Sequence, residues 1–390
     1  MKDILKSRLG GLKSGVEEFW SKLGEIEIGN TNFEHFPKYI SKEMKNNGYD
    51  VVSIDKAENV VGLIKGSRDE GDIVILSHFD ATEKTGGNAG FKNGITSGLF
   101  AGTLLENSLA PLKGNIIFCC IPNINNSEAR VEYLFSETLK HRRNKIKSVL
   151  LCESTGLNVY LGHKGRMEYE IQITGDFSGQ TADSKMQMAF PLVNELYKVG
   201  EKLPLNSNLG KSKLSVRDVS YTKNDSGTKE MKFTVDRVFV PEEDHYAILK
   251  RAKSIAEEVY SKKEKYSVNT AVAVEQLHMN GGLDLKVEKK YEPWLMDSAE
   301  PFVRKSMDAL SEVDLKSKTG YWQNSFTFGS YTYGKLKIPT LGFGAGKEEH
   351  SKVTDKAEQL KNLEAAVLGT AWIAYRNIGI PSFGWSSDEI

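Results

Sequence analysis

Four residues of this chain have the types and settings that bind metal or move protons. His78 and Asp80 close the apolar run in DIVILSHFDAT. Glu153 follows the apolar run in SVLLCESTG, and His350 comes shortly after another in IPTLGFGAGKEEH. Imidazole nitrogens and carboxylate oxygens are the usual donors to zinc-type ions. His78, Glu153 and His350 amount to two histidines and one carboxylate, enough to hold one divalent metal with positions left open. Each also has a plainer reading. His78 can be a buried histidine held by Asp80. Glu153 can cap the loop after its strand. His350 follows Glu348 and Glu349 and can lie on the surface.

The elements that must carry these residues are legible in the hydrophobic pattern. GDIVILSHFD, GNIIFCCIP and KSVLLCES are short continuous apolar runs, the mark of strands buried on both faces. Between them, GITSGLFAGTLLENSL reads as a helix rich in small residues, and SEARVEYLFSETLKHR as a helix capped by Ser127. Strand, helix, strand, helix, strand predicts a mixed, mostly parallel sheet flanked by helices. Phe33, Phe36, Ile40 and Met44 predict an earlier helix that Gly48 stops. Near the N-terminus a helix is expected from Ser14. From about residue 163 the texture changes. RMEYEIQITGD alternates apolar and polar residues, and strand, helix, strand, strand, helix, strand follows, the split βαβ pattern of ferredoxin-like domains. After about residue 290 the chain returns to helix, a buried strand (IPTLGFG) and a last helix. The expected organisation is an α/β domain of residues 1–164 and 285–390, interrupted by an inserted α+β domain of residues 165–284.

Bulk composition narrows the function classes. A chain of 390 residues usually splits into two domains. Lysine plus arginine equals aspartate plus glutamate at 52 each, which gives no electrostatic case for nucleic acid or an anionic membrane. The basic runs KHRRNKIK (140–147) and SKKEK (261–265) are expected to be solvated helix faces. No apolar leader and no stretch of about 18 apolar residues is visible, so a cytoplasmic protein without a membrane span is expected. Cys119, Cys120 and Cys152 lie in or beside strand-like runs and are expected to be buried, reduced thiols. Trp322, Phe326, Phe328, Tyr331 and Tyr333 could line a cleft, or pack by strand alternation. His163, His245 and His278 have no partner spacing. Asp236 and Arg237 fit a strand ordered by an ion pair.

The strings SHFD, CESTGLNVYLGHKGRMEYEIQITG, TVDR and IPTLGFGAGKEEH resemble a family of dinuclear zinc hydrolases. That family includes aminoacylase, acetylornithine deacetylase, succinyl-diaminopimelate desuccinylase and related peptidases. The last string, with GYWQNSFTFGS before it, is most similar to a YgeY-like branch. The resemblance runs along nearly the whole chain. It implies a zinc-peptidase-like catalytic domain with an inserted lid and dimerisation domain. It also implies two zinc ions about 3.5–4 Å apart, a bridging carboxylate, a glutamate acting as general base, and a histidine from the small domain on the oxyanion.

Carried onto this sequence, the resemblance makes His78 and Glu153 ligands of the first metal and His350 a ligand of the second. Asp80 becomes the residue that orients His78. The bridging position falls on Gly90, or on Asn93 if the loop shifts. The glutamate pair falls on Asn123 and Ile124, with Asn123 at the general-base position and Asn125 and Asn126 next. The small-domain histidine falls on Gly179, beside Gln180. Glycine and isoleucine bind no metal, and asparagine takes no proton from water near neutral pH. The expected cofactor is therefore none, or a single zinc-like divalent metal. The expected function is a relative of amidohydrolases and peptidases that is non-catalytic: a partner subunit, a scaffold or a ligand-binding protein. The alternative is a mononuclear hydrolase of the peptidase or deacylase class acting on an amide or acylated amino acid. Its base would come from Asp80, Glu83, Glu348 or Glu349. The expected partners are a second copy joined through the inserted domain, and a protein or small anionic ligand.

Overall fold

The structure is a computed structural model that describes residues 1–26, 35–79, 89–122, 128–175, 182–223, 229–260, 266–279, 282–348 and 355–381. In chain order the elements begin with α1 (Lys2–Glu25), α2 (His35–Asn46), β1 (Val51–Ile54), β2 (Val60–Ile64), β3 (Asp72–Phe79), α3 (Ala89–Asn107), β4 (Asn115–Pro122), α4 (Ala129–Tyr133) and β5 (Ile146–Leu151). There follow β6 (Val159–Tyr160), β7 (Gly162–His163), β8 (Gly165–Gly175), α5 (Ala182–Glu201), β9 (Leu205–Asn206), β10 (Gly210–Lys211), β11 (Lys213–Lys223), β12 (Lys229–Phe239), α6 (His245–Tyr260) and β13 (Tyr266–Val272). The chain ends with β14 (Val274–His278), β15 (Asp284–Glu288), β16 (Lys290–Tyr291), β17 (Trp294–Leu295), α7 (Pro301–Glu312), β18 (Thr319–Gly320), β19 (Thr340–Gly342) and α8 (Lys356–Ile378). They fall into two compact units. One comprises Met1–Gly162, His278–Leu285 and Met296–Ile390, and the other His163–Leu277 and Lys286–Leu295. The sequence reading returned the chain to the first domain at 285. Lys286–Leu295 instead counts with the second unit, because β16 pairs with β8 at Lys290↔Met167 and Tyr291↔Arg166.

The first unit is built on an eight-stranded sheet of order β1-β2-β4-β3-β5-β19-β6-β18. β3 runs parallel to β4 and β5, and β19 parallel to β5, while β1 and β2 form an antiparallel edge. This is the mixed, mostly parallel sheet that the apolar runs imply. Every residue of β4 is buried, and in β3 only His78 is partly exposed. Parallel neighbours put the C-terminal ends of β3, β5 and β19 on one edge, where ligand crevices of open α/β sheets form.

Helix α3 reaches that edge because of its glycines. Gly94, Gly98 and Gly102 recur every four residues and so share one face. A Cβ at Gly94 would stand 2.3 Å from the carbonyl oxygen of Cys152, and one at Gly98 would stand 2.3 Å from the Phe118 ring. The helix backbone thus lies directly on the sheet, with its first turns beside the ends of β3 and β5. Several local expectations change. α1 begins at Lys2 and runs through Gly10 and Gly11, where a Cβ would meet nothing within 4 Å. Amphipathic burial of Leu5, Leu9, Val16, Phe19 and Leu23 outweighs two exposed glycines. The expected single helix over 127–142 breaks into α4, a π-helical turn (Leu134–Thr138) and a 3-10 turn (Lys140–Lys145). Ser127, its expected cap, lies outside the described residues.

That 3-10 turn is mostly exposed, as expected, and two of its cations reach carboxylates. Arg142 Nε donates to Asp72 Oδ2 at 2.9 Å, and Arg142 also bonds Asp69. Lys145 pairs with Asp69 at 2.6 Å, and Asn115 donates to Asp72 at 2.7 Å. Asp72 is fully buried, so these donors are what make its charge tolerable. The run 261–265 lies outside the described residues. The three cysteines are free and buried, as their strand settings imply. Among the described residues no helix is long and apolar enough to cross a membrane.

The second unit has the ferredoxin-like pattern, with β8, α5, β11, β12, α6 and β13 in order and a sheet of order β11-β12-β8-β13. Met167, Tyr169, Ile171 and Ile173 alternate along β8 and bury one face against Leu192 and Leu196 of α5 and Ile255 and Ala256 of α6. Asp236 and Arg237 do not pair with each other, because neighbours on a strand point to opposite faces. Asp236 accepts from Arg166 Nε at 2.9 Å and from Arg217 at 2.7 Å, while the buried Arg237 bonds Glu243. Burial raises the Asp236 pKa, but the bonds and charges of Arg166 and Arg217 outweigh it and hold the carboxyl below its ordinary value.

Two outcomes follow. Gly94→Ala should lower stability by about 2–3 kcal/mol in denaturant unfolding, the upper part of the overpacking range, because the opposing atom is backbone. Asp236 should stabilise its unit above the unfolded-state pKa of about 3.9 and lose that contribution as pH falls through the lower folded value. Asp236→Asn should flatten the fall in melting temperature below about pH 4.

Candidate functional site

His78 is the seventh residue of β3, and Glu153 follows β5 by two residues. The parallel pairing of these strands brings their side chains together. His78 Nδ1 lies 2.8 Å from Glu153 Oε1, with both side chains more than four-fifths buried. A carboxylate only accepts, so the imidazole donates from Nδ1. Two donors on one tetrahedral zinc at about 2.0–2.1 Å would stand about 3.4 Å apart. The 2.8 Å contact is instead a hydrogen bond of the kind by which a carboxylate orients a histidine. Phe328 packs edge-on against the imidazole, with ring centroids 6.3 Å apart.

Beside this pair stands the start of α3. Gly90 falls in its first turn, and Asn93 is 6% exposed. Trp20 of α1 donates its indole N–H to Asn93 Oδ1 at 2.7 Å. The neighbouring Lys92 has its pKa lowered by burial, and its ammonium lies at the last turn of α1, near Gly24. The opposite wall is the exit of β19, zipped onto the segment after β5. Gly344 N–H donates to Thr155 Oγ1 at 3.0 Å, and Leu157 N–H donates to the Gly344 carbonyl at 2.9 Å. Gly346 follows with φ of +88°, a conformation that favours glycine.

Several sequence-level candidates take other roles. Glu348, a candidate base, accepts from three backbone N–H groups: Gln323 at 3.0 Å, and Asn324 and Ser325 at 2.7 Å each. Its carboxylate holds a loop, and its charge adds to burial in raising the Tyr160 pKa. Residues 330–335 form a π-helical turn rather than a strand; Tyr331 within it and Phe328 before it are buried. Trp322 is buried edge-on against Tyr160, 5.1 Å between centroids. His163 is fully buried and bonded to the Lys164 carbonyl, His245 bonds Lys290, and the exposed His278 bonds Asp284. Burial pushes the Cys152 thiol up to about 12, which makes it inert as a nucleophile near neutral pH. Asp80, Glu83, Asn123, Ile124, Asn125, Asn126, Gly179, Gln180, Glu349 and His350 lie outside the described residues.

Among the described residues no three histidine, cysteine, aspartate or glutamate side chains converge to hold a metal. Among the described residues the first turn of α3 supplies no carboxylate. The residues there include Gly90 and Asn93, and the Asn93 carbonyl is already engaged by Trp20. Trp20, which holds the Asn93 carbonyl, is the residue that sequence reading missed. Nothing local marks Trp20, which is 73 residues from its partner.

No family model matches the chain. Among curated proteins it is similar to the uncharacterized protein YgeY of Escherichia coli K12, with 21% identity over 370 residues, 86% of this chain and 89% of that one. Among solved structures it is similar to the dipeptidase Dug1p from Saccharomyces cerevisiae, with TM-score 0.67, 11% identity, and 96% and 98% of the two chains covered. It is also similar to the aminopeptidase PepT from Bacillus cereus, with TM-score 0.65, 15% identity, and 93% and 99% covered. A third is Bacillus subtilis YxeP, a dinuclear metal binding peptidase from the M20 family, with TM-score 0.62, 15% identity, and 93% and 98% covered.

Glu348→Ala should speed amide hydrogen exchange at Gln323, Asn324 and Ser325 by about tenfold or more, read by mass spectrometry, since each loses a bond to a charged acceptor. Sheet order, inserted unit and the likeness over nearly the whole length lead to one conclusion: the chain has the M20 metallopeptidase fold and is a distant sequence relative of YgeY.

Proposed function

We propose that this chain is a ligand-binding relative of the metal-dependent peptidases and amidohydrolases and does not carry out dinuclear hydrolysis. The observation that carries the reading is the chemistry at the start of α3. The bridging carboxylate that the resemblance implies would stand there, and the turn offers instead Gly90 and the amide of Asn93, whose carbonyl is held by Trp20. Replacement of base, bridge and oxyanion residues by Asn123, Ile124, Gly90 and Gly179 points the same way. Base and oxyanion contributions are each worth roughly a hundredfold in rate, so their joint loss is not made up by binding. The working form in this reading is a homodimer joined through the inserted unit.

One observation favours a second reading. His78 is oriented by a carboxylate, which is how ligating histidines are usually held. With His350 it could hold one divalent metal in a mononuclear hydrolase of the deacylase or peptidase class.

Elemental analysis of protein purified without chelator separates these readings, with sedimentation run on the same samples. The proposal expects fewer than about 0.2 metal ions per chain after zinc add-back, no hydrolysis of dipeptides or acylated amino acids, and sedimentation as two chains. About one zinc per chain, lost in both His78→Ala and His350→Ala, would establish the second reading. Two per chain with dipeptide hydrolysis would overturn both.

A further inference from the structure

We infer that the groove between α5 and α6 binds a medium-chain monocarboxylate, with its head at one end and its chain along the floor. The groove belongs to the second unit alone, so the inference stands apart from the reading of the sheet edge.

The two helices share a core, with Leu192 and Leu196 of α5 beside Ile255 and Ala256 of α6. Tyr260, the last residue of α6, donates its hydroxyl to the Met188 carbonyl in the first half of α5 at 2.9 Å. Arg251, early in α6, lines the same space as Lys202, just past the end of α5. The helices therefore run antiparallel. Above their contact lies a cavity of about 820 Å³. That is within the range of about 300–1,000 Å³ usual for small-molecule sites. Val199, Leu203, Ile255 and Val259 form an apolar floor. Ile255 is buried and the other three are half-buried, so an alkyl chain laid on them removes apolar surface from water on both partners. Eleven residues separate Pro191 from Lys202 along one wall, about 16 Å at 1.5 Å per residue, which leaves room for an extended chain.

Antiparallel packing sorts the charges around this floor. Lys202 and Arg251 stand at the same end. Neither has an ion pair or a side-chain hydrogen bond, whereas Lys198 is paired with Glu195 at 2.7 Å. Glu195 and Glu258 each lie seven residues from these cations along their own helices, about 10 Å toward the other end. A carboxylate head is thus attracted at the Lys202–Arg251 end and repelled at the Glu195–Glu258 end. Arg251 adds a planar fork of N–H donors that matches a carboxylate. A cationic head would meet the reverse arrangement, with one of its two carboxylates already neutralised by Lys198.

The test is calorimetry on the full chain with decanoate below its micelle concentration, with decanol and decanedioate for comparison. Decanoate should bind at one site per chain. Decanol, with the tail but no charge, should bind about tenfold more weakly. Decanedioate should also bind more weakly than decanoate, because its second carboxylate must lie beside Glu195 and Glu258. In the double variant Lys202→Glu with Arg251→Glu, decanoate affinity should fall about tenfold or more and its advantage over decanol should vanish. Both side chains are exposed, so the melting temperature of that variant should hold. No decanoate binding by the wild type, or equal binding by the double variant, would overturn the groove as the site. So would a wild type that ignores decanoate while the double variant sediments as one chain instead of two, since a second copy would then be what covers the groove.

Discussion

The contact on which the site depends is the seating of α3 on the sheet at Gly94. Backbone meets backbone there, with a Cβ excluded by the Cys152 carbonyl at 2.3 Å. Because the helix cannot rise or slide without losing that fit, Asn93 is held beside the ends of β3 and β5. Those two strands in turn bring His78 and Glu153 to one edge through parallel pairing. The glycine spacing, the buried strands and the position of each polar group at the edge are thus one construction. A change at Gly94 would be felt at every member of it.

Many charged groups in this molecule are consumed by architecture. Asp72 is buried under Arg142 and Asn115, Arg237 is buried against Glu243, and Glu348 holds three amides of a loop. Each would cost several kcal/mol if left alone, which is why each has several partners. Asn93 is held in the same way, its carbonyl accepting the indole N–H of Trp20. The distinction between groups that hold the fold and groups that face a ligand is made by their partners, not by their types.

The M20 fold and the likeness to peptidases describe the frame. The chemistry within it depends on side chains at the edge, and a fold hosts many activities. Here the edge combines a histidine oriented by a carboxylate with an amide oriented by an indole. The first arrangement is common in metal sites, whereas the second sets an amide at the start of α3. The ligand-binding reading follows from giving weight to the second.

The sequence by itself marked the buried strands, because short continuous apolar runs such as IVIL and IIFCCI, bounded by polar and turn residues, fit strands covered on both faces. It also determined the wet and dry faces of β8 through strict alternation, and the donor types at the strand ends. It did not determine the breaks in the helix over 129–145 or the π-helical turn at 330–335, because the period of two in that aromatic segment fits a strand equally well. Only the tertiary structure decided which polar groups meet. His78 and Glu153 are 75 residues apart, and Trp20 and Asn93 are 73 apart. Hydrophobic periodicity records which face of an element is buried, but a hydrogen-bond partner is chosen by crossovers and helix seating that no local pattern contains.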